Sequence, residues 1–317
     1  MDLTAALLRG TRPSVFVLTG PGGTGCRLAV EQLIRVRGYR QAVAPAQANV
    51  LLRCGVLDAE VAERVWAQLP LPAAREKVTV AAEAERALDR AVVELADPVR
   101  QRAEVRAVPA LPERDMAERA PDRDGVSLDQ LHVPLGPALS DWPTGLRLQL
   151  VLQGDVVQAA TCQVVGAAAG PFWTVHNAPA AALDSLQRML GVAGWPTAAA
   201  TARRFRDELL DRPAAAPTQL DRWARRVRRS RLLRWSTDGL GVLTEADGTR
   251  ADATVRWLRW LDQLTGAQAP PRAEAARAHL DALPGLVVGR ELAAVRLIVA
   301  SLDPDIEAMI SAEAPHE

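Results

Sequence analysis

The stretch from Ser14 to Arg27 limits what this chain can fold into more than any other part of it. Ser14-Val15-Phe16-Val17-Leu18-Thr19 is a short apolar run rich in strand-forming residues, bounded by Pro13 and by Gly20-Pro21-Gly22-Gly23. Such a run between turn residues reads as a buried strand entering a tight turn. Leu28, Val30, Leu33 and Ile34 then follow at roughly helical spacing. Val50-Leu51-Leu52, ended by Gly55, is a second candidate strand, and Val78-Thr79-Val80 a third. Between them Asp58 can cap a helix on which Val61, Val65 and Leu69 share a face and which Pro70 stops. This alternation predicts an α/β domain over residues 1–104, with a small parallel sheet of flavodoxin-like type.

Residues 105–124 read as a linker, because PALPERDMAERAPDRDG is dense in charge and proline and poor in aromatics. Residues 125–317 predict an α+β domain, a β-hairpin region followed by a helical bundle. Leu146-Arg147-Leu148-Gln149-Leu150-Val151-Leu152 alternates, Gln153-Gly154-Asp155 turns, and Val156-Val157 resumes. From residue 178 onward the spacing is helical. Leu183, Leu186 and Leu190 form one stripe, Ala199 to Leu210 a further helix, and Leu220, Trp223 and Val227 a third. Val255, Leu258 and Leu261 form a fourth, and Leu292 to Leu302 reads as a last buried helix ended by Asp303-Pro304.

Composition excludes several classes. Hydrophobic residues at 49% and charged residues at 24% are ordinary for a globular chain and argue against a mostly disordered one. Lys+Arg and Asp+Glu balance at 38 each, so no global field draws the chain to nucleic acid or to an anionic membrane. Lys77 is the only lysine, so nearly all positive charge is guanidinium. Cys26, Cys54 and Cys162 are too few and too widely spaced for a disulfide framework or a closed metal site. The opening residues lack a secretory-signal pattern, and the apolar runs fall short of a bilayer span. The expected location is the cytoplasm, with any membrane contact at its inner face made through a partner.

Four features are candidates for chemistry or binding. Gly20-Pro21-Gly22-Gly23-Thr24-Gly25 has the spacing and the strand-before, helix-after setting of a phosphate-binding loop, so Gly20, Gly22, Gly23 and Gly25 are candidate anion-binding residues. A working loop continues with Lys and then Ser or Thr, to reach the terminal phosphates and Mg²⁺. Cys26 and Arg27 stand there instead, and a structural turn is the competing reading. Asp221 to Trp235 carries seven arginines and reads as a basic amphipathic helix. Arg222, Arg225, Arg226 and Arg229 lie on one side of it, with Trp223 and Val227 on the other. Its plain reading is a solvated face, and its functional reading is a contact for an acidic protein; a nucleic-acid partner is not expected. His132, His176, His279 and His316 have no metal-like spacing and read as structural or exposed. The eight tryptophans read as core or interface anchors.

Gly23-Thr24-Gly25-Cys26 after the first strand also resembles the cysteine loop of the small, iron–sulfur subunit of nickel–iron hydrogenases and of its relative in respiratory complex I. Downstream, Ala44 to Gly55 looks like that family's next strand, and Val65-Trp66-Ala67-Gln68-Leu69-Pro70-Leu71-Pro72 like the segment after it. The second half resembles the large subunit of the same enzymes. Leu135-Gly136-Pro137, Gly145-Leu146-Arg147-Leu148 and Gly154-Asp155-Val156-Val157 look like its opening hairpin. Leu297 to Pro304 looks like the approach to its C-terminal cysteine pair. Both sets in the expected order on one chain suggest a fused, shortened relative.

The departures from that pattern set the functional expectation. Only Cys26 stands at a family cluster-ligand position, and Gly23 takes its partner's place. Asp305 and Ala308 occupy the positions of the C-terminal cysteines. An iron–sulfur cluster needs four ligands, normally thiolates. The resemblance therefore implies no catalytic residues, no metal and no cofactor. The expectation is a non-catalytic module that assembles with or regulates a respiratory membrane complex, its partners being protein subunits of a respiratory or hydrogenase-like assembly. Two other readings stay open: a nucleotide- or anion-binding protein using residues 20–27, and an oxidoreductase subunit that relies on a partner's cofactors.

Overall fold

The computed structural model describes residues 12–104, 119–121, 127–166, 170–213, 218–245, 247–268 and 271–313. The chain divides into two compact units. The first runs through Asp115 and takes in Pro137–Ser140 and Val165–Ala169; the second holds the remainder.

In the first unit, strands β1 (Ser14–Thr19), β2 (Arg40–Gln41), β3 (Val50–Cys54) and β4 (Ala74–Val78) form one parallel sheet in the order β2-β1-β3-β4. That order matches the opening strands of the flavodoxin-like arrangement. Side chains alternate across the sheet, so each face has its own core. Val15, Val50, Leu52 and Cys54 pack under helices α1 (Thr24–Val36) and α3 (Ala84–Ala96). Phe16, Leu18 and Leu51 pack on the other side with helix α2 (Ala59–Trp66). Asp58 caps α2 by accepting the Glu60 N–H at 2.9 Å, and Asp97 caps the short helix α4 (Pro98–Ala103) by accepting the Val99 N–H. The third strand lies at Ala74–Val78 rather than Val78–Val80. As the sheet's edge it carries Arg75, Glu76 and Lys77, charges that blunt an open edge and hide its pattern in the sequence.

The second unit opens with an antiparallel sheet of β5 (Arg119–Pro121), β6 (Ser127–Leu135), β7 (Leu146–Gln153) and β8 (Val156–Val164) in that order. Within the linker read over 105–124, residues 119–121 are thus a strand, while 105–118 and 122–124 lie outside the described residues. Leu146, Leu148, Leu150 and Leu152 all point inward, and Gly154 at φ 59° turns β7 into β8. Their core is completed by α10 (Arg272–Val287), α11 (Leu292–Leu302) and α12 (Ile306–Glu313). A second core joins α5 (Ala178–Val192), α6 (Pro196–Asp211), α7 (Leu220–Arg228) and α9 (Ala253–Gln263) around Phe205, Trp223 and the fully buried Trp257. The α/β layout followed by a hairpin sheet and helices agrees with the sequence reading.

The basic stretch from Asp221 to Trp235 is two helices, not one. Helix α8 (Arg231–Thr237) starts afresh after α7, with the Ser230 hydroxyl accepting the Leu233 N–H at 3.3 Å. Helices α10 and α12 fall within the region whose spacing reads as helical, but no single apolar stripe marks either of them in the sequence.

A buried ionic cluster ties α5, α6 and the end of α11 together. Arg206 Nη1 donates to Asp184 Oδ1 at 2.6 Å, and Arg188 Nη2 donates to Asp184 Oδ2 at 2.6 Å. Arg188 Nη1 reaches both oxygens of Asp303 at 2.8 and 2.7 Å, and Arg206 also holds Asp207. Asp184 and Arg206 are wholly buried. Removing one member leaves an uncompensated charge in a dry interior, so Arg206→Ala should cost about 3–5 kcal/mol. The exposed Arg86→Ala should stay within about 0.5 kcal/mol. Urea unfolding of both variants checks the contrast, and similar small losses would contradict it.

Candidate functional site

The glycine-rich turn owes its glycines to close backbone contact. The Gly20 N–H donates to the Cys54 carbonyl at 2.9 Å, the Gly23 N–H to the Gly20 carbonyl at 3.0 Å, and the Val56 N–H to the Pro21 carbonyl at 3.0 Å. The turn after β1 is thus sealed onto the turn after β3. A Cβ at Gly20 would stand 2.0 Å from the Val56 oxygen, one at Gly23 2.6 Å from the Cys54 carbonyl, and one at Gly55 2.4 Å from the Gly20 oxygen. Gly166 crosses Pro21 as closely, its added Cβ falling 2.6 Å from the proline ring. Gly22 takes φ 75°, which a side chain would strain. Gly25 lies within α1. Two of the four candidate anion-binding glycines therefore already give their N–H groups to carbonyls.

The residues in the Lys and Ser/Thr positions are equally committed. Arg27 lies back along α1 with its guanidinium 3.2 Å from Glu31, both side chains buried. Cys26 packs in the same apolar core as Cys54. Burial, with the neighbouring Cys26, pushes the Cys54 thiol far above its usual range and so favours its protonated form. These residues do not fit an iron–sulfur cluster. Four thiolates are needed, Cys26 faces apolar neighbours, and a side chain at Gly23 would strike the Cys54 backbone. Among the described residues no group of three or more His, Cys, Asp or Glu side chains is placed to hold a metal ion.

In the second unit, the Asp303-Pro304-Asp305 turn joins α11 to α12. Asp303 adopts φ 36° and is held by Arg188. Asp305 accepts the Ala308 N–H at 3.1 Å and faces Arg272. Asp305 and Ala308 are thus a helix-capping carboxylate and the residue it caps. Burial raises the Asp305 carboxyl above its ordinary value despite Arg272.

His279 is buried, with Nε2 3.0 Å from Glu245, whose carboxylate also faces the buried Arg256. Arg256 in turn donates to Ser301 and to the Gly241 carbonyl. Sequence reasoning missed this node, because Glu245, Arg256, His279 and Ser301 are joined only by packing. His132 and His176 are exposed, and His316 lies outside the described residues.

The basic face on α7 is oriented as the spacing predicts. Arg222, Arg225, Arg226 and Arg229 are exposed, while Trp223 and Val227 are buried. Arg226 rests on the Trp195 ring at 5.6 Å.

No protein-family model matches the chain, and no curated protein matches it. A chain of the membrane-bound sulfane sulfur reductase, an archaeal respiratory membrane complex, aligns with it at 14% identity and a TM-score of 0.37. The alignment covers 56% of this chain and 98% of that one. Among the described residues no helix is long and apolar enough to cross a membrane.

Two outcomes follow from the geometry. Gly23→Ala drives a Cβ into backbone and should cost about 1–3 kcal/mol by overpacking. Gly38→Ala meets open space and carries only left-handed strain at φ 65°, about 1–2 kcal/mol. Gly23→Ala should also change the amide shifts of residues 54–56, which Gly38→Ala should leave in place.

The second outcome concerns pH. Burial alone would raise the Glu245 carboxyl, but the His279 hydrogen bond and the charges of His279, Arg256 and Arg259 together hold it below its ordinary 4.5. A depressed carboxyl contributes stability that is fully present above the unfolded value and lost as pH falls through the folded one. The gap in melting temperature between wild type and Glu245→Gln should be larger at about pH 5.5 than at about pH 3, shrinking as pH falls between them. A gap unchanged down to about pH 3 would contradict the assignment.

Proposed function

We propose that this chain acts through its surface, as a non-catalytic module that assembles with or regulates a respiratory membrane complex. The observation that carries the reading is the sealed turn at residues 20–27, where Gly20 and Gly23 spend their N–H groups on carbonyls and Arg27 is paired with Glu31. The groups best suited to chemistry elsewhere are likewise engaged: Asp184, Asp207 and Asp303 with Arg188 and Arg206, and Glu245 with His279. The arginines of α7 are different. Arg222, Arg225 and Arg229 project from the molecule with no side-chain partner among the described residues. Guanidinium groups in that state favour carboxylates, which they meet with paired, charge-assisted hydrogen bonds.

The respiratory character of the partner rests on the resemblance of the two halves to hydrogenase and complex I subunits. The sealed turn weighs against a nucleotide-binding protein. A subunit borrowing a partner's cofactors would still have to present reactive groups, and the buried ion pairs leave few.

The tagged chain and its Arg222→Glu, Arg225→Glu, Arg226→Glu, Arg229→Glu variant should be purified from the native host after mild solubilisation of membranes. Wild type should co-purify with identified respiratory subunits, and the variant should lose them while keeping its circular dichroism spectrum. Equal recovery by both, or no respiratory subunit with either, would overturn the proposal.

A further inference from the structure

Tryptophan 235 has an environment unlike that of the other tryptophans. Trp66, Trp142, Trp173, Trp223 and Trp257 are buried, and Trp195 and Trp260 are half-buried. Trp235 is 80% exposed, and Leu232, one turn away on the same helix, is 72% exposed. Both lie on α8, which buries Leu233 and Thr237 on its other side. Arg231 stands four residues before Trp235, so Arg231, Leu232 and Trp235 share the outer face of α8. Arg229 lies just across the Ser230 corner. No acidic side chain is paired with Arg229 or Arg231 among the described residues, although Arg228 is paired with Asp262.

We infer that Trp235 and Leu232 are the apolar centre of a protein-docking surface whose rim is Arg229 and Arg231, extended by Arg225 one turn before Arg229. This rests on the proposed assembly role and names the chemistry of its contact. The partner is a protein surface with an apolar pocket bordered by carboxylates. The arrangement is that of an interface hot spot, where a buried tryptophan with arginines carries much of the binding energy. A tryptophan buries about 150–250 Å² when covered, and its exposed ring has that area to give.

The occupant is a protein rather than a lipid surface on three observations. The apolar sides of α7 and α8, with Trp223, Val227 and Leu233, are already spent in the core, so no full apolar face remains to enter a bilayer. The outer apolar area is one tryptophan and one leucine. The chain's formal charge is zero, so no wider field supports attraction to an anionic membrane.

The test places a photo-reactive phenylalanine derivative at position 235 of the full chain in its native host, and maps adducts by mass spectrometry. Adducts on one protein, within a segment flanked by Asp and Glu, are expected. They should fall at least about tenfold with Arg225→Glu, Arg229→Glu and Arg231→Glu, since like charges facing across an interface are strongly disfavoured. Trp235→Ala should lower recovery of the same protein about tenfold or more while leaving the melting temperature nearly unchanged. Adducts confined to lipid, protein adducts indifferent to the charge reversals, or no adducts at all would each overturn the inference. An acidic adduct on a protein outside any respiratory complex would support this surface and sink the functional reading. Respiratory co-purification without an adduct at 235 would do the reverse.

Discussion

Asp184 is the interaction on which the second unit depends. It is wholly buried on α5, and its two oxygens are divided between Arg206 of α6 and Arg188 of its own helix. Arg188 passes the connection to Asp303 at the end of α11. A carboxylate taken out of water costs several kcal/mol unless it is paired and hydrogen-bonded. The cluster meets that demand only when α5, α6 and the Asp-Pro turn are all in place. Its hydrogen bonds are complete in this one arrangement of the three elements. The same geometry fixes the start of α12, because Asp303 and the capping Asp305 belong to one turn.

In the first unit the corresponding constraint is made of backbone. The turns after β1 and β3 touch so closely that Gly20, Gly23 and Gly55 leave no room for a Cβ. A phosphate loop is rich in glycine so that its N–H groups can surround an anion. Here the glycines let carbonyls and N–H groups of the chain surround one another. Gly20 and Gly23 serve the second use, and the sequence signature does not separate the two. With Cys26 and Cys54 buried as apolar residues beneath the turn, this end of the sheet has the character of a packed joint.

Much of the fold was legible because apolar patterning controls it. Leu292–Leu302 follows the sequence reading to the residue, since a helix that is apolar on most sides and closed by Asp303-Pro304 has one plausible extent. β7 shows the strict alternation Leu146, Leu148, Leu150 that a half-buried strand imposes. β6 was missed because His132, Pro134 and Gln130 interrupt such a pattern, and α10 because Pro284 lies inside it. The glycine turn was found as a motif, but its role turns on which carbonyls come near, which spacing does not carry. The buried ion cluster was invisible for a related reason. Asp184 and Arg188 four residues apart look like any surface helix pair, and Arg206 and Asp303 join them only in the folded state. The basic face was legible in its orientation, but the corner at Ser230 and the outward Trp235 were not.

On the proposed reading, the joined turns, the paired buried charges and the outward arginines and tryptophan divide this protein into an interior that serves stability and an exterior that serves contact. That division is tested most directly by native mass spectrometry of the chain isolated anaerobically from its host. The account predicts the chain's own mass, with no bound small molecule, in complex with one or more protein subunits. A monomer carrying a stoichiometric nucleotide or iron–sulfur cluster would contradict it.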